Sequence, residues 1–366
     1  MENVLFIGPY RQSDEWGHLS RSLLKALCIS KKIKVTSRPV FLSANTTYIN
    51  ISDQDILQAE LNKEESYDSV IQYTLPTQMV NSKDIGRSIG VTHLETTSNR
   101  QWDNYLQLMD KVFVSTAAEK NCLSEKVREK SHAIGGSIPE LTMEIPPADL
   151  STDFKFYFFC DSLETKSGID ALLQTYMSEF TSHENVSLNV YTSNPQQLEE
   201  KLDTTTKILG LYSSHSYYPA INIVPRLSHD KRRGIDGSDD LHTNCHCFID
   251  PSGMNGFKTA VAKSMAFGNP VITVDKTSMV EYINDENGWV VDSNEELLLC
   301  PDRPFKDIFT AREGYYMPNK ISFKKAMREA FGDRILYHKK SKQAKQSAVK
   351  FSIERQSKVV EDILCS

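Results

Sequence analysis

Short apolar runs alternate with amphipathic stretches along most of the chain. Residues 4–7 (Val-Leu-Phe-Ile) are uninterruptedly apolar and stop at Gly8-Pro9, a pattern that predicts a buried strand. Asp14 is placed to cap the segment that follows, in which Leu19, Leu23, Leu24 and Leu27 fall on one helical face. The unit recurs. Val112-Phe113-Val114 is apolar, and Thr116 stands three residues before Glu119 as a capping box opening another helix. Residues 156–160 form a further apolar run, followed by Ile169, Leu172, Leu173, Tyr176, Met177 and Phe180 at helical spacing. Residues 186–190, 220–224, 247–250 and 271–274 read as additional short strands.

Strands that alternate with helices imply parallel sheets covered by helices on both faces. The periodicity breaks between Pro139 and Asp153, where Glu140, Pro146, Pro147 and Asp149 carry no apolar stripe, and it restarts beyond. The expected fold is therefore α/β, with two doubly wound Rossmann-like domains facing a central cleft. One covers residues 1–150 and the other 151–335, and a basic C-terminal helix over 336–366 packs back toward the first. Ligand is expected at the carboxyl ends of the strands.

The chain has 366 residues and a net charge of −6, long enough for two domains with ample cores. A hydrophobic content of 39% with 25% charged residues excludes wholesale disorder, and no apolar run approaches a membrane span. The seven cysteines are an odd number without framework spacing. With no basic leader ahead of residues 4–7, they predict free thiols and a cytoplasmic protein, in the host cytoplasm if phage-encoded. Residues 321–358 hold eleven Lys/Arg against three acids, a net +8 that leaves −14 elsewhere. Such a segment is either a solvated helix face or a surface for phosphate. Lys231, Arg232, Arg233, Lys339 and Lys340 are the candidate nucleic-acid contacts. His242, Cys245, His246 and Cys247 offer no second ligand pair at finger spacing, so no metal site is expected.

The most informative stretch runs from Cys247 to Val274: strand, a loop with Gly253 and Gly256, helix, then Gly268 and Pro270 before another strand. Glycines let backbone approach a ligand closely, and the amides that open the helix near residues 257–259 suit an anion.

This stretch resembles the donor-binding core of retaining, family-4 glycosyltransferases of the GT-B type. Their pattern runs from an aspartate through Pro-Ser and Glu-Gly-Phe-Gly to Glu-Ala-Met-Ala-x-Gly-x-Pro-Val-Ile. Other segments join it in order. Gly8-Pro-Tyr-Arg with Trp16-Gly17 resembles the first-strand glycine loop, and residues 90–97 (Gly-Val-Thr-His-Leu-Glu-Thr-Thr), Trp102 and residues 112–115 resemble the segment that lines the cleft. Lys166-Ser167-Gly168 resembles the Arg-Lys-Gly that opens the second domain, and residues 281–291 resemble the motif after the donor site. The resemblance covers about residues 4–292 and implies transfer of a sugar from a nucleoside-diphosphate donor, a UDP-sugar above all, with no cofactor or metal required.

It also implies a site. His93, Glu95, Lys166 and Asn255 would be catalytic, and Trp16, Gly17, Ser252, Gly256, Phe257, Lys258, Thr259 and Lys263 would bind donor, with the diphosphate on the amides of residues 256–259. The acceptor would be a saccharide or lipid-linked glycan, or a hydroxymethylated base in DNA. The family's two glutamates, with seven residues between them, are replaced here by Asn255 and Lys263. Asn255 can still hydrogen-bond a sugar, whereas Lys263 only donates and would meet a phosphate or a nearby acid. The alternative is a GT-B scaffold that binds without turnover.

Overall fold

The computed structural model describes residues 1–42, 48–81, 84–98, 100–138, 153–160, 163, 165–210, 218–226, 238–253, 255–297 and 313–365. Six parallel strands build the first sheet: β1 (Glu2–Gly8), β2 (Ile33–Pro39), β3 (Ser69–Tyr73), β4 (Arg87–Val91), β5 (Lys111–Val114) and β6 (Ser131–Ala133). Their order is β2-β1-β3-β4-β5-β6, so the winding reverses between β1 and β3. A second parallel sheet holds β7 (Phe154–Cys160), β8 (Val186–Thr192), β9 (Ala220–Pro225), β10 (Cys247–Asp250), β11 (Val271–Val274) and β12 (Gly288–Val291). Its order is β12-β11-β10-β7-β8-β9, with the reversal between β7 and β10. A hairpin of β13 (Ser293–Leu297) and β14 (Gly314–Pro318) stands apart.

Helices α1 (Glu15–Cys28), α2 (Gln54–Leu61), α3 (Arg100–Leu106), α4 (Ala117–Asn121) and α5 (Glu125–Arg128) belong to the first sheet. Those of the second are α6 (Ile169–Glu179), α7 (Pro195–Ile208), α8 (Ser238–Asn244), α9 (Thr259–Ala266), α10 (Lys320–Gly332) and α11 (Arg334–Ser347), and α12 (Ile353–Leu364) closes the chain. Each apolar stripe seen in the sequence is a buried face. Leu19, Leu23, Leu24 and Leu27 of α1 pack with Val4 and Phe6 of β1, and Leu172, Leu173 and Tyr176 of α6 pack with Phe154, Phe156 and Leu188. Asp14 caps α1 by accepting from the Gly17 amide, and Thr116 and Glu119 form the capping box of α4.

The basic C-terminal stretch differs from the expected single helix. α11 stays on the second domain, and only α12, after a short 3-10 turn, returns to the first. There Arg87 Nη2 donates to the Leu364 carbonyl at 2.8 Å and Lys111 Nζ to that of Ile363 at 2.7 Å. Lys340 is a correction to the proposed nucleic-acid surface. It is 4% exposed, and its ammonium donates to the carbonyls of Asp285 (2.5 Å) and Gly288 (2.7 Å) beneath the Trp289 ring. A lysine stem at this point of α11 reaches the carbonyls at and just before the start of β12, and they take up its charge. Lys339, its neighbour, is exposed. Lys231, Arg232 and Arg233, and the expected boundary from Pro139 apart from Asp153, lie outside the described residues.

Candidate active site

A cleft of about 280 Å³ opens between the two sheets, lined by Ser13, Asp14, Glu15 and His18 of the first domain. From the second come the ends of β7, β8 and β10 and the first turns of α9. This is the winding reversal of the second sheet, where strand ends diverge and leave a crevice. Its walls are unequal. Phe158, Phe159, Tyr191 and Phe248 make an aromatic side, with Phe159 5.3 Å from the Tyr191 ring and 5.5 Å from that of Phe248. Asp250, Lys258, Lys263 and Arg226 make a charged one. An aromatic wall beside a charged one suits a ligand with a ring at one end and charge at the other.

Lys258 and Thr259 open α9 at the charged wall. The Lys258 ammonium donates to both oxygens of Asp250 (2.8 and 2.7 Å) and to the Ser252 carbonyl (2.7 Å). Asp250 also accepts from Thr273 Oγ1 at 3.2 Å. The Thr259 amide donates to Glu15 Oε1, from the opposite domain, at 2.8 Å. Lys263, one helical turn on, pairs with Asp239 at 3.1 Å, meeting a nearby acid as its chemistry foreshadowed.

The amides of residues 256–259 do not act together as the expected diphosphate cradle. Gly256 N donates to Ser278 Oγ (2.9 Å) and Lys258 N to the Met279 sulfur (3.4 Å). Phe257 is fully buried against Phe351, Tyr282 and the backbone of Gly136, so its ring is core between the domains. Only the Thr259 amide faces the cleft with an anion on it. Gly17 is likewise committed, its amide spent on the cap formed by Asp14. Trp16 packs at 5.8 Å from Tyr73 and edge-on to His93.

A second cluster sits where the domains close on each other. His93 is buried, with Nδ1 3.2 Å from Glu119 Oε1, close enough for charge pairing though off the line of a hydrogen bond. Burial pulls the His93 pKa down, but Glu119, with Glu95 and Glu15 further off, outweighs it and holds the imidazole above its ordinary range. Gly256 lies on this ring at φ +101°, and a Cβ there would come within 2.1 Å of His93 Cε1. Lys166 reaches Glu95 at 3.7 Å. Asn255 is only 5% exposed, and its amide donates to the Thr96 carbonyl at 3.1 Å and accepts from Ser278 Oγ at 3.4 Å. The expected sugar-binding Asn255 is thus a bolt between domains, since its short carboxamide finds loop 95–96 before it can reach the cleft.

The histidines and cysteines near 245 are structural. Tyr157 OH lies 2.8 Å from His242 Nδ1, His246 Nδ1 accepts from the Lys155 amide, and burial pushes the Cys245 thiol up to about 12. Among the described residues no group of three His, Cys, Asp or Glu could hold a metal ion, and no helix is long and apolar enough to cross a membrane. The sequence reading missed Glu15, Asp14, Arg226 and the aromatic wall. Glu15 is an ordinary first-turn acid in its own helix, and only the fold brings it against α9. The wall had a visible signal, because Phe159, Tyr191 and Phe248 lie in three strands that were recognised.

Residues 155–299 match the family model described as Glycosyl transferases group 1. No curated protein sequence matches the chain. Among solved structures, HepE of Anabaena in complex with UDP and glucose is similar with a TM-score of 0.65 and 12% identity, covering 100% of both chains. A glycosyltransferase of Rickettsia africae is similar at 0.64 and 12% identity over 99% of this chain and 97% of that one. The lipopolysaccharide outer core galactosyltransferase WaaB, in its apo form, gives 0.64 and 11% over 99% and 98%. At these identities the likeness is one of fold: two Rossmann-like domains across a cleft, the GT-B architecture.

Proposed function

We propose that this chain, a glycosyltransferase by its GT-B fold and by the group 1 family of its second domain, moves a sugar from a UDP-sugar to a saccharide hydroxyl with retention of anomeric configuration. The observation that carries the reading is the cleft at the reversal of the second sheet, aromatic on one wall and opened on the other by Lys258 and the α9 amide. The uracil ring would lie against the Phe159–Tyr191–Phe248 wall and the diphosphate near Thr259 and Lys258. HepE, solved with UDP and glucose, supports uridine as the base.

In the reaction the anomeric C–O bond to the diphosphate breaks and the acceptor oxygen bonds the same face. The acceptor proton passes to a leaving phosphate oxygen. Charge develops on that diphosphate, so fixed donors around it are the main catalytic contribution. Lys258 is held at this wall by Asp250 and the Ser252 carbonyl, which take its three N–H groups, so it would act on the diphosphate by charge alone, and the α9 amide would donate once freed. His93, whose pKa Glu119 raises against the effect of burial, sits behind the Gly256 loop. Lys166 and Glu95 close the sugar end from the two domains.

A saccharide acceptor is favoured over DNA by the fold's likeness to HepE, solved with UDP and glucose, and to a lipopolysaccharide galactosyltransferase, and part of the basic C-terminal stretch is engaged within the protein. Arg328 pairs with Glu179 at 2.8 Å, Lys324 donates to the Ser178 carbonyl, and Lys340 is buried. Lys325, Lys339, Lys342, Lys350, Arg355 and Lys358 remain exposed. We place the protein in the cytoplasm, where its six described cysteines, all free, would stay reduced.

The test is turnover. Purified protein incubated with UDP-glucose, UDP-galactose or UDP-N-acetylglucosamine should release UDP slowly, and faster with a saccharide acceptor, giving an α-linked product by NMR. A β-linked product would overturn retention. Release stimulated only by a hydroxymethylcytosine duplex would overturn the saccharide acceptor, and no release with any donor would return the scaffold reading.

A further inference from the structure

Glu15 is a cleft acid set at the position where the proposed ligand would place a phosphate. Its carboxylate crosses from the start of α1 to accept the Thr259 amide at 2.8 Å, at the N-terminus of an eight-residue helix where an anion is most stabilised. A second observation points to a different occupant. Thr259 is 7% exposed, lines the cleft, and its Oγ1 has no hydrogen-bond partner. A buried hydroxyl left unsatisfied is costly. Glu15 satisfies the amide and leaves the hydroxyl unmet, whereas a phosphate has enough oxygens to accept from both. The cleft lysines are matched within the second domain, Lys258 by Asp250 and Lys263 by Asp239, whereas the anion at the α9 terminus comes from the other domain.

We propose that Glu15 is a resident competitor for the phosphate of a nucleoside diphosphate, occupying the anion position on Thr259 until the donor displaces it. The inference rests on the donor site proposed above. Displacement has two consequences. It hands the Thr259 amide and hydroxyl to the diphosphate, and it releases one tie between the domains, so donor entry is coupled to loosening of the cleft. Glu15 also sets selectivity, because a ligand without phosphate has no reason to displace it. Affinity for a nucleoside is therefore independent of Glu15, and affinity for the diphosphate is reduced by it.

The experiment is calorimetric titration of the full chain with UDP and with uridine, for wild type, Glu15→Gln, Glu15→Ala and Thr259→Val. Removing a hydrogen bond to a charged group and a like charge beside the phosphate should tighten UDP about tenfold in Glu15→Ala. Glu15→Gln, which keeps the side chain's shape, should gain less, and uridine should be unchanged in both. Thr259→Val should weaken UDP without altering uridine. UDP affinity that is unchanged or weakened on replacing Glu15 would overturn this inference and leave the donor site standing. Failure of UDP to bind wild type and every variant would overturn the donor site, and the inference with it.

Discussion

Removing the Lys258 ammonium strands a buried charge, and the size of the loss follows from its surroundings. The Asp250 side chain is 6% exposed and accepts two hydrogen bonds from Lys258 Nζ and one, longer, from Thr273 Oγ1. In Lys258→Met the carboxylate keeps a single hydroxyl. Breaking a buried ion pair costs about 3–5 kcal/mol, and the 19% exposure of the lysine lets water recover part of it. The expected loss is about 2–3 kcal/mol, or roughly 4–12 °C in the melting temperature of the second domain. A double variant separates this from lost packing, since Lys258→Met/Asp250→Asn should recover most of the stability at pH 7. Differential scanning calorimetry at pH 7 reads both variants. A melting temperature of Lys258→Met within 1 °C of wild type would refute the claim that this ion pair holds the charged wall of the cleft.

Three further outcomes are expected. Gly256→Ala forces φ +101° on an L-residue and drives a Cβ to 2.1 Å from His93 Cε1, so it should lower stability by about 2 kcal/mol or more and reduce UDP-sugar turnover, measured by melting and UDP release. His93→Gln should flatten the pH dependence of stability. The raised histidine pKa gives a contribution present in full below the unfolded value of about 6.5 and lost as pH rises through the folded one, so chemical denaturation at pH 6 and pH 8 should differ less than in wild type. Lys340→Met leaves the carbonyls of Asp285 and Gly288 without their donor and should lower the melting temperature, while retention on a DNA column stays that of wild type.

Part of each sheet was readable because β1 and β7 carry continuous apolar runs over residues 4–7 and 156–160, because β8 and β11 are rich in aliphatic and β-branched residues, and because α1 and α6 carry apolar stripes at helical spacing. β2, with Lys34, Thr36, Ser37 and Arg38 in seven residues, carries no such run and was missed, as was the hairpin of β13 and β14, whose first strand is largely polar and exposed. At the site, residue types pointed to the right loop but not to what its groups touch. Lys263 needed an acid, and the fold supplies Asp239. The family resemblance implied Asn255 and Phe257 as donor ligands, yet both are engaged at the contact between domains. Glu15 could not be read at all, since its partner Thr259 lies 244 residues away.

A structure of the protein soaked with UDP tests the central claim most directly. The account predicts the uracil against Phe159, Tyr191 and Phe248, with a diphosphate oxygen within hydrogen-bonding distance of the Thr259 amide and hydroxyl. The Lys258 ammonium should lie alongside, and the Glu15 carboxylate should be gone from its place. UDP bound elsewhere on the molecule, or a cleft still closed by Glu15 at saturating UDP, would contradict it.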